Sequence, residues 1–196
     1  MKQLFKESLA KSMDYASYRK LVLDLLEAGK STGPTQSDDL YNYSKLNNAR
    51  MHRLDQKTRL TPETEEALKF MKEPQTWLVI TEGWCGDAAQ ILPVINAMSA
   101  MSHQIDLRIV LRDENPELMA QFLTNGSMSI PKMIVLDKSS ALLNSWGPRP
   151  SVATKMVNDY KAKHGSLDAA FKKELQLWYN KDKGVSIQQD LIEFVK

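Results

Sequence analysis

The residue best suited to chemistry in this sequence is its one cysteine, Cys85, which lies in the segment Trp84-Cys85-Gly86-Asp87-Ala88. An apolar run over 77–80 precedes it, and apolar residues at helical spacing follow it over 91–98. A thiol at such a strand-to-helix junction meets the unpaired N–H groups of the first helical turn. Those groups stabilise the thiolate, which is the reactive form of cysteine. We therefore predict that Cys85 is the centre of a redox or binding site.

The neighbours of Cys85 limit its chemistry. Ala88 stands where a second cysteine would complete a Cys-x-x-Cys pair, so no internal thiol can release a mixed disulfide on Cys85. A helix N-terminus favours the thiolate by about 0.3–1 kcal/mol. A carboxylate at Asp87, roughly 6 Å away in a water-like medium, opposes it by about 0.7 kcal/mol. Because the two effects nearly cancel and Glu82 adds further opposition, we expect a modestly activated thiol.

Composition excludes several classes of function. The chain has 196 residues and a formal net charge of +2, which fits one domain and does not favour nucleic acid as a partner. One cysteine excludes an internal disulfide, and the three histidines lack metal-ligand spacing, so we expect no metal and no cofactor. The N-terminal residues do not resemble a signal peptide, and no apolar run reaches the roughly 20 residues that a membrane helix requires. We expect a cytoplasmic protein without a membrane partner; the sequence does not indicate the oligomeric state.

The first third of the chain is predicted to be helical. Apolar residues recur at helical spacing over 5–26, and the turn formers of 30–36 predict a loop. Ser37 is expected to cap a second helix, and Thr61-Pro62-Glu63 to begin a third, since proline favours the first helical position. The basic residues of the second helix are expected to form a solvated face: Arg50, His52, Arg53, Lys57 and Arg59.

The middle of the chain alternates strand with helix. Strands are predicted at 77–81, 105–111, 133–136 and 141–146. A helix is predicted over 85–101, and another from Asn115-Pro116 to Gly126. Lys138-Ser139-Ser140 predicts a hairpin turn. This order indicates an α/β core whose sheet has a parallel portion and an antiparallel edge.

The last quarter is predicted to be helical again, after Trp146-Gly147-Pro148-Arg149-Pro150. One helix is expected to end at His164-Gly165. Ser166 is expected to cap the next helix. Ser186, with Gln189 three residues later, predicts a capping box at the start of the last one.

Four features, in this order, resemble the thioredoxin family. Trp84-Cys85-Gly86 matches the start of that family's Trp-Cys-Gly-Pro-Cys motif, and Pro93 resembles its helix-kinking proline. Ile130-Pro131 resembles the cis-proline loop that faces the active thiol, and Gly147 matches the glycine of the loop beside it. The resemblance implies a thioredoxin-like α/β fold over about 61–163.

The layout of the whole chain resembles a narrower group within that family. With its Gly-Lys-Ser-Thr-Gly-Pro segment at 29–34, it is similar to bacterial thioredoxin-like proteins that carry a helical N-terminal extension. We expect such an extension over 1–60, packed on a thioredoxin-like domain over 61–196. That domain would carry additional C-terminal helices, and the whole chain would form one compact domain.

The resemblance also assigns site residues. Cys85 would be the catalytic thiol, the backbone of Ile130 would align an incoming disulfide, and Arg149, or less favourably Lys132, would supply a cation beside the sulfur. The residues that would contact substrate are Trp84, Gly86, Asp87, Ala88, Ile130, Pro131, Gly147 and Arg149. Three of the family's positions are changed: Ala88 replaces the resolving cysteine, Asp87 replaces a proline, and Val79 replaces a buried acid of many relatives. Two-thiol turnover is therefore disfavoured.

Two functions of different classes fit these residues. In the first, Cys85 exchanges with disulfides of a client protein or small-molecule thiol, and an external thiol regenerates it. In the second, the chain is a non-catalytic binding module that keeps the thioredoxin peptide groove. Other cysteine chemistries lack their signatures: Pro and Thr do not precede Cys85 as in peroxiredoxins, and 86–93 holds no basic residue as in phosphatase loops. A dinucleotide fingerprint is also absent.

Overall fold

The computed structural model describes residues 1–195, and within them the chain forms nine α-helices around a four-stranded sheet. The helices are α1 (Lys2–Ala10), α2 (Tyr15–Glu27), α3 (Asp38–Lys57), α4 (Pro62–Lys69), α5 (Gly86–Met101), α6 (Pro116–Ala120), α7 (Ser151–His164), α8 (Ala169–Asp182) and α9 (Val185–Leu191). The strands are β1 (Gln75–Thr81), β2 (Ile105–Leu111), β3 (Lys132–Asp137) and β4 (Leu142–Trp146). This arrangement confirms the predicted α/β fold class.

The sheet has the order β2-β1-β3-β4. Strand β1 pairs with β2 in parallel, with Trp77 opposite Leu107, and with β3 antiparallel, with Trp77 opposite Val135. The β3–β4 hairpin turns at the predicted place. Two of the three strand pairings are therefore antiparallel, and not only the one at the edge, because β3 itself runs opposite to β1. Both faces of β1 are covered, which explains its continuous apolar run.

Helix α5 is the centre of the fold. It packs against α3, α4, α9 and β2, and ten of its sixteen residues are buried. A helix covered on all sides needs apolar residues around its whole circumference, as the sequence over 88–98 provides. Pro93 lies inside this helix and is buried.

The N-terminal helices cover the outer edge of the sheet. Met13, between α1 and α2, exchanges two backbone hydrogen bonds with Ile109 of β2, at 2.9 and 2.8 Å. Arg108 Nε donates to the hydroxyl of Ser12 at 2.8 Å. Strand β2 is an edge strand whose unpaired backbone groups would attract other chains, so this contact protects the sheet as well as holding the extension on it.

Several helix starts follow the predicted capping chemistry. Ser37 accepts a hydrogen bond from the N–H of Leu40 at the start of α3, and Thr61 accepts one from the N–H of Thr64 at the start of α4. Each cap satisfies one backbone donor that the helix leaves unpaired. The boundaries of β2, α5 and α7 also agree with the prediction within one residue.

Three predicted boundaries are wrong. Helix α6 ends at Ala120 and not at Gly126, because the chain then forms a tight bridge between Thr124 and Ser127. Helix α8 is capped by Asp168, which accepts from the N–H of Phe171 at 2.8 Å, and not by Ser166. No capping box forms at Ser186, which lies inside α9 and donates to the carboxylate of Asp182.

The C-terminal helices hold the segment between β4 and α7 in place. The carboxylate of Asp190 on α9 accepts hydrogen bonds from Trp146 Nε1 at 2.9 Å and from the backbone N–H and the hydroxyl of Ser151, each at 2.8 Å. Both ends of the segment 147–150 are thereby fixed to one carboxylate. That segment forms one border of the site described below.

Gly147 allows this segment to approach the loop before β3. Its φ is +112°, and a Cβ atom at this position would overlap the carbonyl oxygen of Pro131. Gly165, at the end of α7, has a φ of +79° but no atom within 4 Å of such a Cβ. The two glycines therefore share a positive φ and differ in the space around them.

We predict that Gly147→Ala lowers the free energy of unfolding more than Gly165→Ala. The positive φ alone costs about 1–2 kcal/mol in either variant, and the overlap with Pro131 adds at least about 1 kcal/mol at Gly147. Urea unfolding curves of the two variants and the wild type measure the difference. Equal losses in the two variants would contradict the close approach of Gly147 to Pro131.

Candidate functional site

Cys85 lies at the junction between β1 and α5, where it is the N-cap residue of α5. Its sulfur accepts a hydrogen bond from the backbone N–H of Ala88, with 3.5 Å between nitrogen and Sγ. The thiol in turn donates to the backbone carbonyl of Ile130, with 3.3 Å between Sγ and oxygen. Cys85 thus joins the start of α5 to the loop that precedes β3.

Two residues of the N-terminal extension position the turn before Cys85. The N–H of Gly83 donates to the hydroxyl of Thr32 at 2.8 Å, and its carbonyl accepts from the amide of Asn47 at 3.1 Å. Thr32 and Asn47 are both buried. The helical extension therefore contributes directly to the site, which the motif around Cys85 did not indicate.

The thiol is less reactive than the sequence predicted. Cys85 is 9% exposed, and burial, followed by the charge of Asp87, raises the pKa of its thiol to about 12. Hydrogen bonds from the N–H groups of Ala88 and Asp87, and the charge of Arg149, act in the opposite direction. The expectation of a modestly activated thiol is wrong, because it assumed a water-like medium around Cys85. Burial removes water from the sulfur and thereby destabilises the thiolate.

Asp87 is a buried acid with two partners. Its Oδ2 lies 2.7 Å from Nη2 of Arg149, and its Oδ1 accepts a hydrogen bond from the hydroxyl of Tyr179 at 3.0 Å. Burial raises the pKa of Asp87, while the charge of Arg149 opposes that rise. Burial and the charge of Asp87 also raise the pKa of Tyr179, which is therefore a neutral donor. Asp87 thus binds α5 to α8 and to the segment 147–150.

Neither predicted cation is available to the sulfur. The guanidinium of Arg149 forms its ion pair with Asp87. Lys132 Nζ donates to the hydroxyl of Thr124 at 2.7 Å and to the carbonyl of Gly147 at 3.0 Å. Arg149 lowers the pKa of Cys85, but burial and the charge of Asp87 have larger effects in the opposite direction.

A cis peptide bond joins Ile130 to Pro131, as the resemblance implied. A second one, between Gly147 and Pro148, was not predicted. The carbonyl of Ile130 accepts from Cys85, whereas its N–H has no hydrogen-bond partner within residues 1–195. The side of Ile130 that would pair with an extended segment therefore retains its donor.

A groove of about 740 Å³ opens over Cys85, and we refer to it as the Cys85 groove. It is lined by α3, residues 84–87, Arg112, the loop 128–130, Pro148-Arg149 and the start of α8. Of the predicted site residues, this surface includes Trp84, Cys85, Gly86, Asp87, Ile130 and Arg149. The other three, Ala88, Pro131 and Gly147, do not line it.

Sequence reasoning missed the residues that reach the groove from distant helices. Arg50 of α3 is half-buried and lines the groove, so the prediction that it belongs to a solvated face is wrong. Gln176 lines the groove from α8, and Tyr179 of the same helix reaches Asp87. Arg112 stacks over the ring of Trp84, 4.7 Å from its centroid. A local motif cannot indicate these residues, since α3 and α8 lie far from Cys85 in sequence.

The buried acid near the thiol stands at an unexpected position. Val79 stands where the resemblance to the thioredoxin family implies an acid in many relatives. It is fully buried among apolar residues of β1. Glu82 is fully buried instead, and its Oε1 accepts from the N–H of Asp113 at 3.0 Å. Burial raises the pKa of Glu82.

Neither a metal cluster nor a membrane-spanning helix occurs in the part of the chain that the structure describes. Within residues 1–195, no group of three His, Cys, Asp or Glu side chains could hold a metal ion. Across the same residues, no helix is long and apolar enough to cross a membrane.

The fold and the site together define a class of protein. A cysteine that caps the helix after β1, faced by a cis-proline before β3, on a mixed sheet of this order, characterises the thioredoxin fold. The chain belongs to the thioredoxin family, because a family model described as "Thioredoxin" matches residues 33–161. Membership of this family indicates a redox type of function.

Comparisons with individual proteins agree with this assignment. A thioredoxin of Streptomyces clavuligerus is 29% identical over 94 residues, which cover 48% of this chain and 85% of that protein. A crystal structure of an HIV epitope scaffold matches with a TM-score of 0.58 and 19% identity, over 92% of this chain and 96% of that one. A protein of unknown function from Pseudomonas aeruginosa matches with a TM-score of 0.52 and 20% identity, over 91% of this chain and 99% of that one. The two structures show the fold alone.

We predict that Asp87→Asn makes Cys85 more reactive. Asparagine keeps the shape of the side chain but removes the negative charge that raises the pKa of the thiol, and it leaves Arg149 without its ion-pair partner. Both changes lower the pKa of Cys85, so more thiolate is present at a given pH. Alkylation of the folded protein by iodoacetamide between pH 7 and 10 measures this. The variant should react about tenfold faster than the wild type, as a fall of one pKa unit requires.

Asp113→Asn is the matched control. Asp113 also pairs with an arginine near the groove, Arg112, at 2.7 Å, but it does not contribute to the pKa of Cys85. Its alkylation rate should stay close to that of the wild type. Equal rates for Asp87→Asn and the wild type would contradict the electrostatic effect assigned to Asp87.

Proposed function

We propose that this protein carries out thiol–disulfide exchange through a single thiol, Cys85. One observation carries the proposal: the sulfur lies at the floor of the Cys85 groove, 3.3 Å from the carbonyl oxygen of Ile130 and directly before the cis-proline Pro131. A disulfide bound along Ile130 through its unpaired N–H would meet the sulfur at this place. Membership of the thioredoxin family supports the same chemistry.

The exchange step needs no external oxidant or reductant, because one S–S bond breaks and another forms. The thiolate of Cys85 attacks one sulfur of a disulfide R–S–S–R, the S–S bond breaks, and a Cys85–S–R bond forms. The leaving R–S⁻ takes up the proton that Cys85 gave to solvent. A second thiol, from a small molecule or a partner protein, must then attack the mixed disulfide, because Ala88 stands in the place of a resolving cysteine.

Deprotonation of Cys85 limits this reaction. Because the pKa of the thiol is raised to about 12, only a very small fraction of Cys85 is ionised at pH 7. The thiolate of a weak acid is a stronger nucleophile, which recovers a part of this loss. We therefore expect slow exchange in the resting protein that accelerates with pH, or with any change that removes the charge of Asp87.

A second candidate function is a binding module without turnover. The raised pKa of Cys85 favours it, because a protonated thiol that donates to Ile130 holds the loop against α5 without reacting. The groove would then bind an extended segment without covalent chemistry. The two functions differ in whether a disulfide reacts with the folded protein.

Adduct formation with 2-hydroxyethyl disulfide separates the two functions. We expect mass spectrometry to show one adduct on folded wild-type protein at pH 8–9, with a rate that rises with pH, and none on Cys85→Ser. Protein unfolded in guanidinium provides the rate of an ordinary cysteine. A folded protein that stays unmodified at pH 9, while the unfolded chain reacts, would contradict exchange and leave the binding module.

We predict that Ala88→Cys restores internal release of the adduct. The N–H of Ala88 lies 3.5 Å from the sulfur of Cys85, so a thiol at residue 88 stands one helical turn from the mixed disulfide. It should attack the sulfur of Cys85, expel the small thiol and form an internal disulfide between positions 85 and 88. The measurement is the lifetime of the 2-hydroxyethyl adduct by mass spectrometry.

Ala88→Ser is the matched control, since serine has a similar size and no thiol. Its adduct should persist as in the wild type until an external thiol is added. An adduct on Ala88→Cys that persists as long as that on Ala88→Ser would contradict the exchange geometry assigned to the start of α5.

A further inference from the structure

The charges around the Cys85 groove are unbalanced. Five cationic side chains line it, Arg50, Arg112, Arg149, Lys172 and Lys173, against one carboxylate, Asp87. The whole chain, by contrast, carries a formal net charge of only +2. The positive charge is therefore concentrated at the one concave surface that contains the thiol.

Two of these cations already have acidic partners, and three do not. Arg149 pairs with Asp87, and Arg112 pairs with Asp113. Within residues 1–195, Arg50, Lys172 and Lys173 form no ion pair. Arg50 comes from α3, and Lys172 and Lys173 come from α8. Neither helix is part of the strand–helix unit β1–α5 that carries Cys85. The additional helices thus supply the uncompensated charge of the groove.

Arg50 is directed at the start of α5. It is half-buried and held by a hydrogen bond from Nη1 to Oδ1 of Asn47 at 2.9 Å. A Cβ atom at Gly86 would lie 3.7 Å from Nη1 of Arg50 and 3.5 Å from Nε2 of Gln176. The carbonyl oxygen of Gln176 is occupied by Gln90, which leaves its amide hydrogens facing Gly86. A cation and an amide donor therefore stand over the residue next to Cys85.

The size of the groove favours a small molecule. Its volume of about 740 Å³ falls within the roughly 300–1,000 Å³ of sites that enclose small ligands. Charge complementarity then determines the chemistry of the occupant: carboxylate groups would pair with Arg50, Lys172 and Lys173.

We infer that the Cys85 groove takes a low-molecular-weight disulfide that carries carboxylate groups, and that Arg50, Lys172 and Lys173 select it. This inference rests on the proposed thiol–disulfide exchange and names its substrate class. One half of the disulfide becomes bound to Cys85, the other half leaves as a thiol, and an external thiol later releases the bound half. An acidic segment of a protein is the competing occupant.

Three disulfides of different charge test the inference. Glutathione disulfide is anionic at pH 8, 2-hydroxyethyl disulfide is neutral, and cystamine is cationic. The second-order rate of adduct formation is measured for each on the folded protein and divided by its rate on the urea-unfolded chain, which corrects for intrinsic reactivity. At low salt we expect the anionic disulfide to be about tenfold faster than the neutral one, and the cationic one to be slower. Added salt should reduce these differences.

The variant Arg50→Gln/Lys172→Gln/Lys173→Gln should lose this preference. Its matched control is Lys20→Gln/Lys138→Gln/Lys155→Gln, which removes the same charge from exposed lysines that do not line the groove. The control should keep the preference of the wild type. Equal normalised rates for the three disulfides on wild-type protein would overturn the inference. So would a loss of preference in both triple variants, or a faster normalised reaction with a disulfide of an acidic peptide than with glutathione disulfide.

Non-covalent binding separates a failure of this inference from a failure of the proposed function. Calorimetry of glutathione disulfide with full-length Cys85→Ser should show salt-sensitive binding that the groove triple variant in the same background lacks. If no disulfide reacts with folded wild-type protein, exchange is wrong, and binding to Cys85→Ser still supports an anionic ligand. If disulfides react without charge preference and Cys85→Ser does not bind, exchange stands and the substrate class is wrong.

Discussion

The hydrogen bond from the thiol of Cys85 to the carbonyl of Ile130 is the contact on which the site depends. It joins the first turn of α5, the most deeply buried helix, to the cis-proline loop before β3. The same sulfur accepts the N–H of Ala88, so it acts as donor and acceptor at once. A thiol engaged in this way, and 9% exposed, remains protonated at neutral pH. The resting site is therefore a structured thiol at the floor of a groove and not a thiolate.

The residues that depart from the family pattern form a consistent set. Ala88 removes the resolving thiol, and Val79 removes the acid that would handle its proton. Asp87 adds a buried carboxylate, held by Arg149 and Tyr179, which raises the pKa of Cys85. Arg149, the cation that could have activated the sulfur, forms its ion pair with Asp87 instead. Under the proposed function, these residues leave one thiol whose reactivity depends on its electrostatic surroundings.

Much of the fold could be predicted from local sequence patterns. The apolar run before Cys85, the helical spacing after it and the caps Ser37 and Thr61 depend on neighbouring residues, and the structure bears them out. The cis peptide before Pro131 followed from the family resemblance. The failures at these helix starts lie where a carboxylate a few residues away forms the local hydrogen bonds. Ser186 bonds to Asp182 instead of capping a helix, and Asp168 replaces Ser166 as a cap.

The site itself could be predicted only in its centre. Cys85 and Ile130 were placed together correctly, but the pKa of the thiol was not, because burial depends on packing from every side of α5. Arg50 and Tyr179 reach the site from α3 and α8 through tertiary contacts that no local spacing encodes. The charges that surround the groove, and the pKa of its thiol, therefore follow from the tertiary structure and not from local sequence.

The titration of Cys85 in the folded protein tests the central claim most directly. Because the chain has one cysteine, a single ¹³Cβ resonance from selectively labelled protein reports its ionisation without overlap. The structure predicts that this chemical shift stays at its thiol value from pH 6 to pH 10, consistent with a pKa of about 12. A titration midpoint at or below the ordinary cysteine pKa of about 8.5 would contradict the protonated resting thiol.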